Sequence, residues 1–199
     1  MIRRILFLLI STLSLSAMGQ SYAEMISAYR DSIDQRFADS STSILTPETR
    51  QQFTGLDYFV PHDSFNIPAK FKRVRCGRTF KMQTSTDRLP IYKVYGVVRF
   101  ELNDTIRQLT VYQSMDPRIR EAYPDHLFCP FKDLTNGVET YGGGRYLDLS
   151  KKALKSNPTI DFNKAYNPYC AYNYKYSCPI PPVENHLKIR IEAGVKKIE

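Results

Sequence analysis

Val98, Phe100 and Leu102 alternate with Arg99 and Glu101, and the run stops at Asn103-Asp104. A period of two in hydrophobicity belongs to a strand with one buried and one wet face. Asn and Asp tolerate positive φ, which a two-residue hairpin turn requires. The spacing therefore predicts an antiparallel hairpin of residues 91–102 and 105–113, with Val98 opposite Leu109 and Gly96 opposite Val111.

The same pattern recurs on both sides of this hairpin. Residues 66–75 and 78–84 read as strands around Cys76-Gly77, 126–131 as a short apolar strand, and 138–149 as a strand interrupted by Gly142-Gly143-Gly144. At the end of the chain Leu187, Ile189, Ile191 and Ala193 alternate with Lys188, Arg190 and Glu192, which predicts a last strand. The chain holds 14 Tyr, 11 Phe and 12 Pro, a composition of half-buried sheet surfaces joined by many loops. Successive strands without intervening helices define the expected class as mainly β: an antiparallel β-sandwich or small barrel.

One helix is expected, at the N-terminal side. Ile26, Tyr29, Ile33 and Phe37 fall on one face, and Ser21 with Glu24 three residues on forms a capping box. Ahead of it, Arg3-Arg4, an apolar run from Ile5 to Leu15, and Ala17 and Gly19 at the −3 and −1 positions read as a cleavable secretory signal. The apolar run is shorter than the ~20 residues that a membrane span needs. The predicted organisation is a signal over 1–19, a helix and linker over 20–50, and a strand-rich domain over 51–199. The expected location is outside the cytoplasm, periplasmic or extracellular, with no membrane span after cleavage.

Loss of Arg3 and Arg4 takes the formal net charge from +8 to +6. A basic surface attracts anionic partners without specifying one, and export argues against nucleic acid. No Cys-x-x-Cys or His-x-x-x-His spacing is present, so no metal or other cofactor is expected. In an oxidising compartment Cys170 and Cys178, which bracket seven residues, are the disulfide candidates.

Polar and aromatic residues concentrate in two stretches. In Glu139-Thr140-Tyr141-Gly142-Gly143-Gly144-Arg145-Tyr146 the glycines permit a bulge or the close approach of a ligand. They fit neither a phosphate loop nor a dinucleotide fingerprint, because no helix begins there. Arg145, if it points inward, needs an acidic partner, with Glu139, Asp148 and Asp161 as candidates. The second stretch, Asp161 to Tyr174, packs amides, carboxylates and phenols densely enough to cap turns or line a polar pocket.

Five motifs in order carry a family resemblance. They are Phe53-Thr54-Gly55-Leu56-Asp57-Tyr58-Phe59, Pro130 to Gly137, Thr140 to Leu147, Asp161 to Pro168, and Cys178 to Asn185. From about residue 50 onward the chain resembles the domain of unknown function 1684 family of uncharacterised bacterial and archaeal proteins. The resemblance implies no activity. The family's usual Asn-Arg-Leu and Ala-Gly-Glu endings stand here as Asn185-His186-Leu187 and Ala193-Gly194-Val195.

Three functions follow as expectations. The leading one is a binding module in which Glu139, Tyr141, Arg145, Asp161, Asn163, Tyr166 and Asn167 form a tyrosine-lined pocket for a small polar or anionic envelope molecule. The second is a hydrolase or transferase using that pocket, with Glu139 or Asp161 as acid/base or Cys170 as nucleophile. In the third, a structural or partner-binding envelope protein, the motifs only specify the fold. Ligand identity, cysteine pairing and oligomeric state are not written in the sequence.

Overall fold

A computed structural model describes residues 20–198, so the predicted signal over 1–19 lies outside the described residues. Helix α1 (Tyr22–Ala38) begins as its cap predicts. Ser21 Oγ accepts from Glu24 N at 3.3 Å, and Glu24 Oε2 accepts from Ser21 N at 2.7 Å. A short α2 (Pro47–Gln51) follows. The sheet then comprises β1 (Asn66–Arg73), β2 (Thr79–Lys81), β3 (Ile91–Leu102), β4 (Thr105–Ser114), β5 (His126–Phe131), β6 (Arg145–Ser150) and β7 (Thr159–Asp161). Helices α3 (Pro117–Ala122) and α4 (Lys151–Ser156) sit in the connections.

The strands run in the order β6-β5-β4-β3-β1-β7, all antiparallel, with β2 added beside β3. The two ends of this path almost meet. After β7 the chain makes one turn at Phe162–Lys164, and Tyr166 then exchanges backbone hydrogen bonds with Tyr146 of β6 at 2.9 and 3.0 Å. Of the two architectures expected, the barrel is the one formed, nearly closed and with one main helix.

The β3–β4 hairpin has the predicted register, Val98 opposite Leu109 and Gly96 opposite Val111. Asn103 and Asp104 both adopt φ of 53°, the backbone of the two-residue turn. A bulge between Val94 and Gly96 reverses which face of β3 looks inward. Beyond it Val98 and Phe100 join Leu109, Val111, Leu127, Cys129, Phe131, Leu147 and Phe162 in the barrel core. Before it Tyr92 and Val94 lie outside, packed with Met82, Tyr112, Phe128 and Tyr146 in a second cluster. The middle of the sheet is thus covered on both faces.

Of two predicted strands, 138–149 forms only from Arg145 onward and 187–193 is not a strand. Residues 138–144 form a tight loop in which Thr135 O accepts from the backbone N–H groups of Val138, Glu139 and Thr140 at 3.1, 3.0 and 3.1 Å. Only residues from Arg145 onward enter the ladder. Residues 187–193 keep the predicted alternation, with Leu187, Ile191 and Ala193 buried and Lys188, Arg190 and Glu192 exposed. Their first half bonds to the turn after β5, with Leu187 N donating to Lys132 O at 2.7 Å and Ile189 O accepting from Leu134 N at 2.8 Å. Beyond it a side chain occupies the carbonyls: Arg145 donates to Ile191 O at 2.8 Å and to Ala193 O.

Candidate functional site

The segment that closes the barrel also builds the concave surface. Asp161 Oδ1 accepts from Asn163 N at 3.1 Å, which starts the turn. Asn163 is buried and spends its amide on the scaffold. Its Nδ2 donates to Tyr22 Oη and to His62 O, each at 2.8 Å, and its Oδ1 accepts from His62 N at 3.0 Å. This anchors the start of α1 and the chain at His62 to one point of the seam. Further along α1, Arg30 donates to Phe59 O at 2.8 Å and stacks over the Tyr58 ring at 4.5 Å.

Between α1, the outer face of β5 and β6, and the loop running from Asn163 to Pro179 lies a cleft of about 700 Å³. Tyr29, Ile33, Arg36 and Phe37 of α1 form one wall. Phe128, Tyr146 and Asp148 form the floor, and Tyr166, Tyr169, Tyr172 and Tyr176 the opposite wall. Tyr58 and Tyr92 complete a set of eight tyrosines. Edge-to-face contacts fix several of these rings: Tyr146 with Phe128 at 4.7 Å, Tyr146 with Tyr166 at 5.7 Å, and Tyr172 with Phe37 at 4.9 Å. Burial pushes the phenols of Tyr146, Tyr58 and Tyr172 well above the ordinary tyrosine value.

The cleft's charges are Arg36 and Lys164 against Asp148. Asp148 Oδ1 accepts from Tyr166 Oη at 2.9 Å and faces His126 Nε2 at 2.8 Å. Lys164 Nζ pairs loosely with Asp161 at 3.6 Å, and Arg36 makes no ion pair among the described residues. Asn167 is buried in the wall. Its Nδ2 donates to Lys196 O at 2.9 Å, which leaves its Oδ1 without a donor. The Tyr172 phenol lies beside this amide, yet no hydrogen bond of normal geometry reaches Oδ1.

Of the residues singled out in the sequence, Asn163, Tyr166 and Asn167 meet at the cleft. Glu139, Tyr141, Arg145 and Asp161 do not line it. Glu139 is held by Arg190, and Asp161 Oδ1 accepts from Tyr22 Oη at 2.7 Å. Tyr141 covers Gly143, where an added Cβ would lie 2.3 Å from the ring. Arg145 is fully buried, with Asp133 as its partner at 2.8 Å rather than Glu139, Asp148 or Asp161. Burial draws its pKa below the usual arginine value, while the charge of Asp133 pulls the other way. Cys178 lines the cleft, Cys170 stands behind it, and both are thiols.

The sequence reading missed Arg36, Tyr29, Tyr58, Tyr146 and Asp148 as neighbours of that stretch. Helix, strand and loop bring them together only through barrel closure, which leaves no local signature. Lys164 and Tyr172 lay within the polar, aromatic stretch and were within reach of the same argument. Among the described residues no group of three His, Cys, Asp or Glu side chains is arranged to hold a metal ion.

Fold and site together define a small, nearly closed β-barrel with a tyrosine-walled cleft beside its seam. The chain belongs to the family described as "Protein of unknown function (DUF1684)", whose profile matches residues 51–196. It is similar to the solution NMR structure of an uncharacterized protein of Haloarcula marismortui, with 33% identity and a TM-score of 0.66. The alignment covers 86% of this chain and 92% of that one. Among curated proteins none matches.

Proposed function

We propose that this chain is an exported binding protein whose cleft takes a small molecule with a flat or ring-shaped body and an anionic group. The observation that carries the reading is the Asn167 amide, a buried acceptor in the cleft wall that no protein donor satisfies. Leaving such a group unpaired costs about 1–3 kcal/mol, and a ligand hydroxyl or N–H seated in the cleft removes that cost. Tyrosine walls supply apolar contact at little conformational cost, and Arg36 and Lys164 outnumber Asp148, which favours an anion. A basic chain is consistent with this preference.

The test is a thermal-shift and tyrosine-fluorescence titration of the protein with N-acetylmuramic acid, glucuronic acid and neutral N-acetylglucosamine. Saturable stabilisation by an acidic sugar, weakened in Arg36→Gln and Lys164→Gln, is the expected result. At a hundred times its dissociation constant a ligand adds ~2.7 kcal/mol. No shift with acidic or neutral probes at millimolar concentration would remove the support for a binding module. Export is tested separately by the mass of the protein recovered outside the cytoplasm, which should begin at Gln20.

An enzymatic reading has one specific observation behind it. Asp148 joins His126 and Tyr166 at the cleft, a carboxylate between two groups able to give or take a proton. Turnover of a bound acidic sugar that disappears in Asp148→Asn would favour it over binding alone. Glu139 and Asp161 are committed elsewhere and are not the groups to mutate.

A further inference from the structure

Cys170 and Cys178 are brought together by one compact loop. Asn173 N donates to Tyr169 O at 3.0 Å and Tyr176 N to Asn173 O at 3.1 Å, which folds the chain back on itself. Cys170 N then donates to Cys178 Sγ at 3.1 Å, which sets the two cysteines side by side. The two cysteines are held differently. Cys178 is pinned to the 83–85 segment, where its N donates to Ser85 Oγ at 3.1 Å and its O accepts from Ser85 N at 2.9 Å. Cys170 is half-buried at the start of the loop, with Tyr141 Oη 3.9 Å from its sulfur.

We propose that Cys170 and Cys178 are a disulfide-forming pair, oxidised by exchange with an external disulfide, and that the bond clamps the loop carrying Tyr172 and Tyr176 against the cleft. This inference stands on the loop geometry and does not depend on the cleft's ligand. The half-buried Cys170 thiolate attacks one sulfur of the external disulfide, forms a mixed disulfide and expels a thiolate. Cys178 sulfur then attacks Cys170 Sγ, its proton passes to the departing thiolate, and the second external thiol leaves. Two protein thiols become one disulfide while one external disulfide is reduced to two thiols.

Burial pushes the Cys178 thiol up to about 12, so the second step speeds up as pH rises. Cys129 is fully buried in the barrel core and takes no part, whereas the exposed Cys76 can cross-link molecules and is removed as Cys76→Ser in the test.

The protein carrying Cys76→Ser is incubated with oxidised glutathione at pH 7 and pH 9, alkylated and digested with trypsin. Lys175 separates the two cysteines, so a disulfide appears as peptide 165–175 joined to peptide 176–188. The joined pair is expected at both pH values, faster at pH 9, with the unfolding midpoint raised by several degrees. In Cys178→Ser a glutathione adduct should accumulate on Cys170. Both cysteines still alkylated after native incubation, or a persistent adduct in the protein that keeps Cys178, would overturn the pairing. A joined pair with an unchanged midpoint would overturn the clamp.

Discussion

Arg145 Nη2 donates to Asp133 Oδ2 at 2.8 Å with neither side chain exposed. The other carboxylate oxygen, Asp133 Oδ1, accepts from Thr135 N at 2.8 Å, Thr135 Oγ1 at 2.6 Å and Ile191 N at 3.2 Å. Arg145 also donates to the carbonyls of Ile191, Ala193 and Val195. One ion pair therefore ties β6, the turn after β5 and residues 191–195 together, where a ladder of backbone bonds was expected.

Removing one member of that pair should be costly. Arg145→Ala leaves Asp133 buried without its counter-charge and three carbonyls without a donor. Breaking a buried pair this way typically costs ~3–5 kcal/mol. Urea unfolding should show a loss of this size for both Arg145→Ala and Asp133→Ala, with the double variant losing less than their sum. Additive losses would mean that the two residues stabilise the fold independently.

Two of the three consecutive glycines, Gly142 and Gly144, should respond differently to alanine. Gly144 has φ of +93°, and an added Cβ would lie 2.7 Å from Phe131 O and 2.7 Å from Pro181 Cγ. Gly142 has ordinary φ, and a Cβ there meets nothing closer than 3.7 Å. Gly144→Ala is expected to lower stability by more than ~1 kcal/mol and Gly142→Ala to leave it within ~0.5 kcal/mol. Equal effects in thermal unfolding would contradict this assignment.

Asn185 fills a gap in the barrel wall. Strands β4 and β5 pair only at Tyr112 and Phe128, and Pro130 has no N–H to offer. The fully buried Asn185 amide supplies the missing bonds: Nδ2 donates to Thr110 O at 2.8 Å and Pro130 O at 2.7 Å, and Oδ1 accepts from Thr110 N at 2.7 Å. Asn185→Leu keeps the approximate volume and removes both the donor and the acceptor. It should lose about 1–3 kcal/mol for each carbonyl left unpaired, and amide exchange at Thr110 should accelerate. Unchanged exchange at that amide would show that the strands hold together without Asn185.

How much of this was legible depended on whether the cause was local. The hairpin was legible because Asn103-Asp104 and the alternation around Phe100 act within a dozen residues. Helix α1 was legible for the same reason, through Ser21, Glu24 and the spacing of Ile26 to Phe37. The alternation from Leu187 to Ala193 correctly gave the buried face, but period two reports faces and not partners. The partner of Ile191 is a guanidinium from 46 residues earlier in the chain. The density of polar and aromatic groups between Asp161 and Tyr174 found half of the cleft. The other half, Tyr29, Arg36 and Asp148, is set by where the seam closes, which depends on the order of strands.

The buried phenols should also make the fold sensitive to alkali. Tyr112 and Tyr146 are buried, and burial raises both well above the ordinary value near 10, the neighbouring Glu184 carboxylate adding to the effect at Tyr112. In the folded protein they stay protonated at a pH where the unfolded chain has released those protons. The unfolded state then binds fewer protons, so stability falls as pH rises through this range, by about 1.4 kcal/mol per pH unit for each such tyrosine. Below pH 9 the full contribution is present and stability should be flat with respect to these groups. The chain has no tryptophan, so tyrosinate absorbance at long ultraviolet wavelength reports the titration cleanly. Exposed phenols should ionise first and reversibly, with the remainder appearing in one cooperative step that coincides with loss of near-ultraviolet circular dichroism. A single smooth titration of all 14 tyrosines around pH 10, with structure retained, would show that the cleft and the outer cluster are open to water.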